Sequence, residues 1–293
     1  MKLEKLIKRF RIDDPDHFRL AAFNPADTGG LDLDKDEAKG VLAEDLDRLS
    51  ELQERLYADN QWSLLIVLQA MDAAGKDGVI KHVMTGLNPQ GCLVHAFKAP
   101  SQNELEQDFL WRAAQYLPAR GNIGIFNRSH YEEVLVVRVH PELLERQRVP
   151  EELIGKDIWK HRFKSIRAFE RHLARNGTVV LKFFLHISKE EQQHRFLARL
   201  EQPAKRWKFS MGDVAERKLW HKYMAAYEDM IRATSRPHAP WYVVPADNKP
   251  FTRLVVAKAM IEALEGLDLK FPKVDPTALK EMEKVRKALQ AEE

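Results

Sequence analysis

The sequence predicts an α/β fold of three layers, a five-stranded parallel sheet between helices, and three observations lead there. Five short runs are predominantly apolar: SLLIVLQA (63–70), CLVHAF (92–97), NIGIFN (122–127), TVVLKFFL (178–185) and WYVVP (241–245). Strands without apolar/polar alternation belong to a sheet covered on both faces. Stretches of helical periodicity separate these runs, as parallel crossovers require. The chain, 293 residues long, is enough for one large core.

Residues 1–30 carry the turn-rich stretches DDPDH and NPADTGG and read as an extension wrapped on the domain. Leu42, Leu46, Leu49, Leu52 and Leu56 then recur at helical spacing between Asp34 and Asp59, which makes 1–60 an N-terminal helical extension. Further helices are expected near 76–86, 102–116, 154–175, 188–200, 213–234 and 249–265, and a charged helix over 275–293. No Pro/Gly-rich linker, fixed repeat or low-complexity tract divides 1–293, so one domain with a lid over 203–223 is expected.

Lys and Arg total 47 against 44 Asp and Glu, a net charge of +3 that matters only where it is concentrated. The lone Cys92 excludes an internal disulfide framework. The opening MKLEKLIKRF lacks a signal-peptide apolar region, and no run reaches membrane-spanning length. A cytoplasmic chain without a membrane partner is expected.

The first strand breaks into Ala70-Met71-Asp72-Ala73-Ala74-Gly75-Lys76-Asp77-Gly78. A glycine-rich turn between strand and helix aims backbone N–H groups and a helix N-terminus at one cavity, and a lysine adds a mobile cation. Against G-x-x-x-x-G-K-[ST], Ala70 stands for the first glycine and Asp77 for the hydroxyl that usually holds magnesium. An ordinary strand–turn–helix connection fits the same letters. Asp72 is the nearest substitute metal ligand and Asp77 the second; either could instead be a helix N-terminal acid favoured by the dipole, a reading that fits Asp77 better. The third strand runs into Asn127-Arg128-Ser129-His130-Tyr131-Glu132-Glu133, at a strand's carboxyl end where ligands sit. Arg128 suits bidentate phosphate contact, or a surface ion pair with Glu132 or Glu133 one turn on. In PAKRWKFSMGD, Lys205, Arg206 and Lys208 crowd Trp207 and Phe209 between Pro203 and Gly212, with Arg217 following. That pattern suits a basic lid closing over phosphates, or a solvated helix face. The histidines show no metal spacing, and no G-x-S-x-G elbow is present.

MDAAGKDG, NPQG (88–91), FNRSHYEEVLVVRV, KRWKFSMGD with Glu216-Arg217, and APWYVVPADNK (239–249) together resemble the type-2 polyphosphate kinase family, and its class III members in particular. The resemblance runs from about residue 10 to 270. It implies a P-loop kinase-like fold and transfer of the terminal phosphoryl group of inorganic polyphosphate to AMP or ADP, giving ADP or ATP, with guanine nucleotides a further acceptor class. Magnesium, or manganese in its place, is implied as the cofactor, linked to Asp72. Lys76 becomes the phosphate lysine and Arg128 the arginine at the transferred group. Ala73, Ala74, Gly75, Asp77 and Gly78 line the phosphate loop, Asn127 and Glu132 the acceptor side, and Lys205, Arg206, Lys208 and Arg217 the lid. Lys81, Lys98 and Arg162 are candidates for the polyphosphate path. A homodimer or homotetramer is implied, with no nucleic-acid partner. Phosphoryl transfer through His130 is the covalent alternative to direct transfer. Two rival functions keep the same loop: a nucleotide kinase using ATP as donor, and a P-loop protein that binds nucleic acid.

Overall fold

The computed structural model describes residues 7–31 and 35–292. In chain order the main elements are α1 (Lys35–Asp59), β1 (Ser63–Ala70), α2 (Lys76–Val83), β2 (Cys92–Ala96), α3 (Gln102–Leu105), α4 (Trp111–Ala114), β3 (Ile123–Asn127), α5 (Val136–Val139), α6 (Ile158–Arg175), β4 (Thr178–His186), α7 (Lys189–Glu201), α8 (Met211–Lys218), α9 (Trp220–Thr234), β5 (Trp241–Pro245), α10 (Lys249–Glu265) and α11 (Pro276–Gln290). The strands form one parallel sheet in the order β2-β3-β1-β4-β5.

All eight residues of β1 are buried, as its largely apolar run predicts for a central strand. Helices α1, α2 and α10 pack together, and α5, α6 and α9 form a second group, with α6 also against β4. Strand order reverses at β1, which has β3 on one side and β4 on the other, so the loops leaving β1 and β3 open into one crevice at the carboxyl edge. Leu68 stands level with Asn127, and the Arg128 N–H donates to the Leu68 carbonyl at 3.0 Å, carrying the pairing one residue beyond the strand.

The N-terminal segment from Ile7 lies on the body. Ile12 N–H donates to the Trp241 carbonyl (2.9 Å) and Val243 N–H to the Phe10 carbonyl (2.8 Å), which closes the β5 edge with an antiparallel bridge. Ile7, Phe10, Ile12, Phe18 and Leu20 are buried there.

Three expectations are corrected. Strand β2 is not covered on both faces: it is the free edge, and Leu93 and Val94 are about half exposed. The 102–116 helix is two single turns, α3 and α4, because Ser101 and Glu104 form a capping box around the first and the Asp108 side chain accepts from Leu110 N–H in between. The 213–234 helix starts at Met211, capped by Ser210, and is divided at Leu219.

An ion pair lies inside the core. Lys182, in the middle of β4 and fully buried, donates to Glu170 of α6 (2.6 Å), to the Tyr131 hydroxyl (2.9 Å) and to the Thr234 carbonyl (2.8 Å). Tyr131 donates in turn to the other Glu170 oxygen at 2.6 Å. Burial pulls the Lys182 pKa down to about 8 and pushes that of Glu170 up, with each partner offsetting the shift of the other. Every polar atom of the group is satisfied, the condition under which a buried pair persists. Lys182→Met strands the Glu170 carboxylate, and denaturant titration is expected to show a loss of about 3–5 kcal/mol. Adding Glu170→Leu should recover much of that loss; a double variant no better than the single one would contradict this reading.

Candidate active site

The site is built at the carboxyl ends of β1 and β3. Between β1 and α2 the chain turns through two left-handed residues, Ala73 (φ +63°) and Gly75 (φ +113°). At Gly75 a side chain would be strained whatever the space. The carbonyls of this loop are held away from the crevice. Arg195, buried on α7, donates to the carbonyls of Ala73 (3.0 Å) and Ala74 (2.8 Å), and through its other nitrogen to those of Ala246 (2.6 Å) and Asp247 (3.1 Å). Gln192, one turn earlier, donates to the Asp72 carbonyl at 2.9 Å. Among the described residues the N–H groups of Ala73, Gly75, Lys76 and Asp77 have no acceptor. A loop with carbonyls tied back and N–H groups free, opening a helix, is a cradle for an anion.

That cradle floors a cleft of about 570 Å³, lined by Asp72, Ala73, Gly75, Lys76, Asp77, Gly78, Lys98, Asn127, Arg128, Arg195, Arg199, Lys205, Trp207, Lys208, Asp213 and Lys249 among others. Eight of its side chains are cationic and three acidic, so the basic excess of this nearly balanced chain is concentrated here.

Lys76 is buried, its ammonium donating to the Ala70 carbonyl at 2.9 Å. Burial first, and then the positive charge of Arg128, pull its pKa down to about 8, with Asp72, Glu132 and Asp77 opposing. Arg128, itself in the left-handed region (φ +62°), bridges Asp72 (2.6 Å) and Glu132 (3.2 Å). The Glu132 carboxylate foremost, and Asp72 after it, hold its guanidinium more firmly protonated than usual. With its amide oriented to satisfy both ends, Gln69 donates to Glu132 (2.9 Å) and accepts from Ser129. Asn127 donates to Asp77 at 2.9 Å, linking the end of β3 to the first turn of α2. Met71, Asp72, Arg128, Glu132, Asp213, Tyr223 and Tyr227 enclose a smaller cavity of about 260 Å³ beside the cleft.

The structure thus brings together Asp72, Ala73, Gly75, Lys76, Asp77, Gly78, Lys98, Asn127, Arg128, Lys205 and Lys208, with Glu132 one cavity away and Ala74 buried behind the loop. It does not bring in the rest. Lys81 lies exposed on α2 outside the cleft. Arg162 is buried between Glu133 (2.5 Å) and Gln147 (2.6 Å), in the wall of a separate cavity of about 490 Å³. Arg206 turns back to the Leu200 carbonyl at 2.8 Å. Arg217 donates to the Lys189 carbonyl and to Gln192, so it braces the residue that holds Asp72. His130 is buried against Tyr131 and Phe169 with its pKa lowered by burial to about 3, which argues against a covalent route through it. Burial pushes the Cys92 thiol up to about 11. Sequence reasoning missed Gln192, Arg195, Arg199 and Lys249. The first three fall at i, i+3 and i+7 just after a strand's end, a polar stripe on one helix face that would have marked them.

The family-model comparison matches residues 32–272 to polyphosphate kinase 2. This chain belongs to the polyphosphate kinase 2 family. It is 48% identical over 283 residues to an ADP-polyphosphate phosphotransferase of Rhodopseudomonas palustris, covering 96% of this chain and 98% of that one. To an AMP/ADP-polyphosphate phosphotransferase of Meiothermus ruber it is 46% identical, covering 94% and 98%. The crystal structure of polyphosphate kinase 2 from Arthrobacter aurescens superposes with a TM-score of 0.86 at 40% identity, covering 98% and 96%. The fold of this family member is therefore P-loop kinase-like, and no helix among the described residues is long and apolar enough to cross a membrane.

The Lys76 shift has a signed consequence. In the free protein the ammonium is lost as pH rises through about 8 rather than 10.5. Between those values the unfolded chain binds the extra proton, so this group's contribution to stability rises with pH and does not cause unfolding there. Attraction for phosphate falls instead. The kcat/KM for an anionic phosphate substrate is expected to drop about tenfold per pH unit above about 8. Lys76→Arg, which keeps Lys182 intact, should lack that limb; a similar limb in both proteins would remove Lys76 as its source.

Proposed function

We propose that this chain transfers the terminal phosphoryl group of inorganic polyphosphate to AMP and ADP, giving ADP and ATP. The observation that carries the reading is the N–H cradle around Lys76 beneath a cleft crowded with cations, beside the Asp72–Arg128–Glu132 chain of ion pairs, in a member of this family.

Both reactants are polyanions, so the barrier is largely repulsion and alignment. Donor phosphates lie over the loop N–H groups, with Lys76 at the reacting end and Lys98, Arg199, Lys205, Lys208 and Lys249 along the chain. Arg128 exchanges its carboxylate partners for the transferred group. Glu132 and the small cavity face the acceptor, whose phosphate oxygen attacks phosphorus in line as the bridging P–O bond breaks. The polymer leaves one unit shorter. Trp207 and Lys208, strongly exposed at the cleft mouth, belong to a lid that closes over the phosphates and excludes water.

The residues fit a divalent cation held mainly by substrate. Asp72 Oδ1 takes Arg128 while Oδ2 accepts no hydrogen bond among the described residues. Burial first, and then the Asp72 charge, hold the nearby Asp213 carboxyl above its ordinary range, an acid pair that a cation would relieve. No cluster of three acidic, His or Cys ligands occurs among the described residues, which suits magnesium bound through one or two carboxylates and phosphate oxygens. When bound, the ion supplies neutralisation of phosphate charge.

Purified protein given AMP or ADP, polyphosphate and magnesium is expected to yield ADP or ATP. Turnover with ATP or GTP as donor and none with polyphosphate would sink the proposal. Arg128→Ala should lower kcat by about a hundredfold or more with the fold intact by circular dichroism.

Asp72 and Asp77 separate by metal dependence. Asp72→Asn should lose activity that added magnesium partly restores. Asp77→Asn, which loses a helix-dipole contact, should cost about 1 kcal/mol or less. The opposite ranking would move the metal role to Asp77.

A further inference from the structure

A second concentration of positive charge lies on α6, away from the cleft. The helix, IWKHRFKSIRAFERHLAR, holds one acid, Glu170, which is buried and pairs with Lys182. Lys160, Lys164, Arg167, Arg171 and Arg175 recur at spacings of three and four and so share one face. All are exposed except Arg167, which is half-buried. At the rise of an α-helix the stripe is about 22 Å long. It ends just before β4 begins, so it runs toward the edge of the sheet opposite the cleft, and none of its residues lines the cleft.

The turn before β5 widens the far end of the stripe. Arg236 and Ala239 close that turn with an antiparallel bridge, and Arg167 donates to the Ala233 carbonyl in the segment leading to it. Burial first, and then the charges of Arg236 and Arg171, hold the Arg167 pKa below its ordinary value, so the guanidinium groups of helix and turn lie within one another's field. His238 is held down by burial first, then by Arg171, Lys182, Arg236 and Arg175. Its Nε2 is buried with no hydrogen-bond partner among the described residues.

Like charges at these spacings weaken a helix rather than support it. The ion pairs of α6 are Arg162 with Glu133 and Glu170 with Lys182, both inside the protein. Among the described residues no carboxylate pairs with any cation of the stripe. The helix dipole favours Arg171 and Arg175 near the C-terminus, but it opposes Lys160 in the first turn. A local cost that neither dipole nor ion pairing offsets points to an anionic ligand. The surroundings select which one. No large apolar side chain of α6 is exposed. A nucleic-acid strand takes stacking aromatics beside its cations, and a lipid surface takes apolar side chains beside them. A line of cations alone matches a linear chain of phosphates.

We infer that the Lys160–Arg175 stripe of α6, continued by Arg236, is a second polyphosphate-binding surface that holds the body of a long polymer while its end occupies the cleft. The identity of the polymer rests on the phosphotransfer reading; the existence of an anion surface does not. A chain held on α6 supplies its free end to the cleft at a raised effective concentration, with no contact to the reacting atoms.

Lys164→Gln with Arg171→Gln and Arg175→Gln removes three exposed charges and leaves the cleft as it is, with the fold checked by circular dichroism. Fluorescence anisotropy with end-labelled long-chain polyphosphate is expected to show binding weakened about tenfold or more. The slope of log Kobs against log salt should become shallower by about 2, the value for three contacts to a single-stranded polyanion. In turnover the KM for long-chain polyphosphate should rise by a similar factor, while kcat and the KM for a short oligophosphate stay unchanged. Unchanged binding and KM overturn the inference and leave the phosphotransfer reading standing. A KM that rises equally for the short donor also overturns it, because the effect then lies in the cleft. So does oligo-deoxythymidylate of matched length binding as tightly as polyphosphate and losing that binding in the variant, which would make α6 a nucleic-acid surface. Wild-type protein that binds the polymer through the stripe but never uses it as donor overturns the phosphotransfer reading alone.

Discussion

Arg195 fixes which way the peptide groups of the loop between β1 and α2 face. A peptide group presents either its carbonyl or its N–H to a cavity, and a loop of three or four residues has no ladder of its own to decide which. Here the guanidinium takes the carbonyls of Ala73 and Ala74 on one side and those of Ala246 and Asp247 on the other. Its Nε is anchored by Glu191 at 2.7 Å. A planar, permanently charged fork suits this task, with one terminal nitrogen directed at each loop. The same contact joins the turn after β1 to the turn after β5, so the cradle is positioned against the whole carboxyl edge of the sheet.

With the N–H groups turned inward, the cleft gathers cations that repel one another, and the carboxylates temper that repulsion. Arg128 and Lys76 each lie within the field of Asp72 and Glu132. Asp72 and Glu132 hold the Arg128 guanidinium in place at the mouth of the crevice, so in the proposed reaction a phosphate would exchange for carboxylate partners already present. Its left-handed backbone is a conformation that costs a non-glycine residue energy, retained because the surrounding structure over-determines it. Tyr131, three residues on, is locked by Glu170 and Lys182, which ties the end of β3 to α6 and β4. The floor of the site is rigid, while the 203–211 segment above it leaves Trp207 and Met211 more than three-quarters exposed. A fixed cradle under a loosely packed cover is the division a closing site requires.

The order of strands and helices, the glycine-lysine turn between β1 and α2 and the placement of Arg128 at a strand's end were legible in the sequence, because each is a local pattern. An unbroken apolar run seeks a buried strand, a Gly–Lys pair after it marks a turn into a helix, and neither statement needs a distant residue. Coverage of a strand does: CLVHA has the letters of a central strand and lies at the free edge, since its neighbours are set by topology. The fate of each basic residue was decided by the tertiary structure alone. Lys205 and Lys208 line the cleft while Arg206, between them, is taken by the Leu200 carbonyl. Arg162 is taken by Glu133, and Arg195 reaches carbonyls more than a hundred positions away in the chain. A cation's role depends on which carbonyl or carboxylate the fold brings within about 3 Å of it, and that distance is a property of the packed chain rather than of the residue.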